Sequence, residues 1–110
     1  MQQQPQYGPR VDVENGVGSV AVLRAYGGAS RAPVLWRGMV TIFYGTDAKF
    51  DIEVSLLESK DGSGTYVGWP QRAYDANGTT KYKNVVWCHD RALAAATAQA
   101  IEAFMSQGYR

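Results

Sequence analysis

The chain has one cysteine, Cys88, and one histidine, His89, and these are too few for several kinds of chemistry. A single cysteine excludes an internal disulfide framework, and one adjacent Cys–His pair cannot supply a zinc cluster. Neighbours on a strand point to opposite faces, which keeps the thiol and the imidazole from pairing as a nucleophile and its base. No spacing resembles a P-loop or a nucleophile elbow, so no metal or cofactor is expected and the chain is not read as an enzyme. The carboxylate pairs Asp51/Glu53 and Asp12/Glu14 alternate with apolar residues or lie in a terminal segment, and they read as solvated edges. Long apolar runs are missing too: nothing approaches the roughly 18 residues of a membrane span. The start MQQQPQYGPR has no basic stretch followed by an apolar one, so a reducing, cytoplasmic home is expected. There is no excess of either charge. Eleven Lys and Arg face ten Asp and Glu, a net charge of +1, so any attraction to nucleic acid must come from a local patch.

A chain of 110 residues with 45% hydrophobic content is long enough for one core and not for two. Residues 1–16 are rich in Gln, Pro and Gly without periodicity and read as a flexible arm; residues 17–110 read as a single domain. "VGSVAVLRAY" and "VLWRGMVTIFY" are β-branched, aromatic runs separated by glycines and a proline, and both predict strands. In "KFDIEVSLL", Phe50, Ile52, Val54 and Leu56 fall on one face and Lys49, Asp51, Glu53 and Ser55 on the other, the period of a half-buried antiparallel strand. "TYVGWP" predicts a strand ended by its proline, and Asn77-Gly78 predicts a tight hairpin leading into "KYKNVVWC". From Asp90, a good N-cap, the period changes. "RALAAATAQAIEAFMSQ" predicts a helix stopped by Gly108, with Leu93, Thr97, Ala100, Ile101 and Phe104 as its apolar stripe. The expected fold class is α+β, an antiparallel sheet of about five strands followed by one C-terminal helix. Ala92, Ala95, Ala96 and Ala103 leave the helix's other side smooth and nearly uncharged, which suggests a second copy against it and hence a homodimer.

The densest chemistry lies between Tyr66 and Arg91, where three tyrosines, two tryptophans and four cations surround one turn. Trp36 and Trp87 sit among aliphatic residues and are expected in the core. Trp69, between Gly68 and Pro70, stays open between core and surface. On the strand after the turn Lys81 and Lys83 share one side, and Tyr82 and Asn84 share the other. Two lysines alone would read as a solvated edge, but with Arg72 across the turn they become a cluster. Flat rings beside cations suit a nucleic-acid strand, because every base has a π-face and every nucleotide a phosphate. The candidate contacts are therefore Arg72, Lys81, Lys83 and Arg91 for phosphates, with Tyr74, Tyr82 and Trp69 for bases.

The stretch from about Arg37 to Tyr109 resembles the SpoVG (stage V sporulation protein G) family. The likeness is carried above all by "GTYVGWPQR" followed by "ANG", a strand closed by a proline with a basic residue beyond it and then a glycine turn. The family's paired cations after the proline are here Gln71-Arg72, and the next strand carries Lys81 and Lys83. The resemblance implies a small dimeric nucleic-acid-binding protein with contacts near the basic residues after Pro70. The order of strands before a final helix is also similar, at the level of fold alone, to Whirly and coactivator-type single-stranded-DNA-binding dimers. Single-stranded DNA or RNA bound with weak sequence preference is the expected ligand. The alternatives are a duplex-DNA-binding transcriptional regulator and a protein-interaction module that uses the alanine face and the Gln-rich arm.

Overall fold

The computed structural model describes residues 6–14, 16, 18–27, 31–45 and 48–107. Five strands, β1 (Val11–Asp12), β2 (Gly18–Ala25), β3 (Val34–Tyr44), β4 (Ala48–Glu58) and β5 (Thr65–Gly68), form one antiparallel sheet in sequence order. A second, two-stranded sheet consists of β6 (Gln71–Ala76) and β7 (Thr79–Asn84), and the chain closes with α1 (Arg91–Ser106). The molecule is α+β, as expected.

Alternation within each strand builds the core. Val20 and Val22 on β2, Trp36, Val40 and Ile42 on β3, Val54 and Leu56 on β4, and Val67 and Trp69 at β5 and just beyond it all point to one face. Helix α1 covers that face with Ala96, Ala100, Ile101 and Phe104, and Thr97 is buried beside them. The buried Thr97 hydroxyl donates to the Leu93 carbonyl at 2.8 Å, which removes the cost of an unpaired polar group. Trp36 lies edge-on to Phe104, with ring centroids 6.3 Å apart. Its indole also covers Gly38, where any Cβ would collide with the Trp36 ring and the Arg24 carbonyl, so only glycine fits there. The register slips by one residue at Leu23 and again at Leu35, bulges of the kind that bend and twist a strand.

The helix starts as the sequence predicts. The Asp90 carboxylate accepts from the Ala92 and Leu93 amides at 2.9 and 3.3 Å, satisfying two of the donors that the first turn leaves open. The expected stop, Gly108, lies outside the described residues; the cap is Gln107. Ala96 belongs to the core and not to the smooth outer side on which it was expected, while Ala95 is exposed.

Three further differences from the sequence reading have physical causes. Residues assigned to the arm run along β2: Val11 pairs with Val20, and the Gly8 and Val13 amides donate to Val22 and Gly18 carbonyls at 2.9 Å. The sheet thus gains its fifth strand from the arm, whereas the strand expected there, now β7, sits in a separate hairpin. Pro70 has no N–H to continue a ladder, and neither face of β6 or β7 is apolar enough to lie on the core. Finally, β7 ends at Asn84 and not near Cys88, because the Val85 and Val86 amides both turn to the Pro70 carbonyl, at 3.0 and 3.5 Å.

Candidate nucleic-acid interface

The hairpin is built by local chemistry. Asn77 and Gly78 both have positive φ, 55° and 81°, the left-handed pair that a two-residue turn needs to match the twist of its strands. Asparagine and glycine adopt those angles at the least cost, so Ala76 and Thr79 pair directly across the turn. From there the register is set: Asp75 faces Thr80, Tyr74 faces Lys81, Ala73 faces Tyr82, Arg72 faces Lys83 and Gln71 faces Asn84.

Directly opposed residues in an antiparallel pair share a face, so the register sorts the candidates. Arg72, Tyr74, Lys81 and Lys83 fall together on one side, three cations and a ring with no carboxylate among them. Lys83 Nζ stands 5.7 Å from the centre of the Tyr74 ring, close enough for its charge to be held over the π-face. Gln71, Ala73, Asp75, Thr80, Tyr82 and Asn84 occupy the other side, where the Gln71 amide donates to Asn84 Oδ1 at 3.2 Å. Among the described residues none of the three lysine and arginine side chains forms an ion pair, so the charge on the first side is uncompensated. Except for half-buried Ala76, every hairpin residue is exposed.

The remaining candidates lie elsewhere. Tyr82, 65% exposed, points away from the cations, whereas Tyr74, 42% exposed, stands among them. Arg91 is the exposed first residue of α1, beside the Asp90 carboxylate that caps the helix. Trp69 is not a surface ring. It is 8% exposed and continues the inward positions of β5, packed in the core. Trp87, expected in the core, is 59% exposed, and Val85 and Val86 beside it are exposed as well. These three residues were missed because aliphatic neighbours read as a strand. The signal available was Pro70, which removes the partner that such a strand would need.

Cys88 is half-buried against the core, and its Sγ lies 3.3 Å from the Asp90 carbonyl, while His89 is exposed in the link to the helix. No group of three or more His, Cys, Asp or Glu among the described residues could hold a metal ion. Among them, no helix is long and apolar enough to cross a membrane. Compared with known proteins, the chain matches no family model, no curated protein and no solved structure.

Proposed function

We propose that this protein binds nucleic acid, without catalysing a reaction, through the face of its hairpin that carries Arg72, Tyr74, Lys81 and Lys83. The ligand is a single strand of DNA or RNA read with weak sequence preference, and the working form is a cytoplasmic homodimer. The observation that carries this reading is the β6–β7 register, which gathers on one surface an exposed ring and three cations that form no ion pair among the described residues. Cations at that spacing suit the phosphates of a flexible backbone, and the ring offers a stacking platform indifferent to base identity. A net charge of only +1 keeps long-range attraction small, so the affinity is local.

A second reading has one observation in its favour: the hairpin is a free two-stranded ribbon, a shape that the major groove of a duplex admits. Titration of labelled single-stranded and duplex oligonucleotides at two salt concentrations separates the two. Single-strand preference is expected. Replacing Arg72, Lys81 and Lys83 together with alanine should lower the salt slope by about 2 and the affinity on the order of fifty-fold at physiological salt, because each lost phosphate contact removes about 0.7 from that slope. Unchanged affinity and slope in a folded triple variant would show that the hairpin is not the binding surface, and a duplex preference would favour the second reading.

A further inference from the structure

The tip of the β3–β4 hairpin carries another group of rings and cations, on the sheet face away from α1. Phe43 and Lys49 are opposed in the β3–β4 register and so stand side by side on that face. The N-terminal segment reaches over them. Tyr7 meets Phe43 edge-on, with centroids 5.2 Å apart, and the Arg10 guanidinium lies 3.7 Å from the centre of the Phe43 ring. Lys49 Nζ is 6.0 Å from the centre of the Tyr7 ring. Arg10 and Lys49 are both exposed, and neither forms an ion pair among the described residues.

Stacking leaves the edge of a guanidinium, with its N–H donors, free to bind an anion in a fixed orientation. The rings therefore hold two positive groups in place without neutralising them. Asp51, the nearest carboxylate along the same face of β4, accepts the Thr41 hydroxyl at 2.6 Å and makes no ion pair with either cation. The β6–β7 hairpin holds a cation in the same way, with Lys83 over the Tyr74 ring, but there no carboxylate shares the face, whereas Asp51 shares that of Lys49.

We infer that Arg10 and Lys49 form a second phosphate-binding contact for the same nucleic-acid strand, so that a long strand engages two patches and a short one only the hairpin. The inference rests on the nucleic-acid reading above. Two linked contacts raise affinity through effective concentration, and the gain disappears when the strand cannot span them.

The test compares oligonucleotides of about 6 and about 25 nucleotides, near the lower end of the range that one small binding fold covers and above that range. The proteins are the wild type, Arg10→Gln/Lys49→Gln and the triple hairpin variant. For the long strand, Arg10→Gln/Lys49→Gln should lower the salt slope by about 1.4 and the affinity on the order of tenfold, with the short strand unaffected. A thermal melt checks folding, and Lys49→Gln alone, at an exposed position, should give about half the slope change if the double variant is unstable. An unchanged slope on the long strand, where the triple hairpin variant still lowers it, overturns the second contact and leaves the hairpin reading standing. Failure of the wild type to bind either strand overturns both.

Discussion

Trp69 and Trp87 lie 18 positions apart at the two ends of the hairpin segment, and they have opposite fates. Trp69 finishes an alternation that begins at Thr65 and Val67 and closes into the core; Trp87 follows a strand whose partner offers no core to enter. The difference separates two regions held by different forces. In the body, side chains from β2 to β5 and α1 exclude water from one another, and stability comes from apolar burial. In the hairpin almost nothing is buried, and shape comes from a left-handed turn and the ladder it starts. The core of the body can therefore be damaged without touching the hairpin's proposed ligand surface, and that surface can be altered without unfolding the body.

The largest expected effect tests that division directly. Trp69→Ala should cost about 3–5 kcal/mol in urea denaturation, the usual range for emptying a buried indole site. Trp87→Ala should stay within about 0.5 kcal/mol, as surface changes do. Equal costs would mean that Trp87 is packed in solution and that the two regions are one.

Within the hairpin, the two tyrosines sharpen the contrast between its faces. Tyr74→Ala should weaken single-strand binding by about 1–3 kcal/mol with the salt slope intact, since stacking is not ionic. Tyr82→Ala, on the side away from the cations, should leave affinity nearly unchanged. If the two losses are the same, the strand does not distinguish the faces, and the register is not what selects the contacts.

Asp90 sits where the regions join. Asp90→Ala should cost about 1 kcal/mol of stability by leaving the Ala92 and Leu93 amides uncapped, while oligonucleotide affinity holds. A binding loss larger than the stability loss would place this junction in the interface.

The smallest effect is a pH dependence confined to the body. Tyr26 donates to Glu53 Oε1 at 2.7 Å, and this hydrogen bond, with some burial and the carboxylate's charge, raises the tyrosine above its ordinary value of 10.0. An acid whose pKa is raised by folding stabilises the fold while it stays protonated. The contribution is present below pH 10 and is lost as the pH rises through the higher folded value. Tyr26→Phe should remove that part of the alkaline decline in melting temperature and leave nucleic-acid binding unaltered. An identical decline in the variant would assign it to other groups.

Much of this was legible in local patterns. The inward set on β4 follows from its period of two, and only Phe50, beyond the cover of the helix, is exposed. The Asn77-Gly78 turn and the Asp90 cap depend on residues within three positions of one another, and both were read correctly. The arm was harder. β1 exists because the Val20 and Ser19 backbone offers an open edge, a fact about β2 and not about the Gln- and Pro-rich segment.

The sequence by itself determined the α+β class, the strand alternation, the tight turn and the start of the helix, because each depends on side chains a few positions apart. It also placed Arg72, Lys81 and Lys83 close to one turn. Only the tertiary structure decided which tryptophan is buried, that the hairpin stands apart from the sheet, and that Arg10 meets Phe43. It likewise put Tyr74 and not Tyr82 with the three cations, through the pairing of β6 with β7. Alternation divides the residues of one strand into two faces, but it does not say which face of the neighbouring strand they join. That follows from which backbones pair and in what register, and a shift of one residue would reverse every assignment.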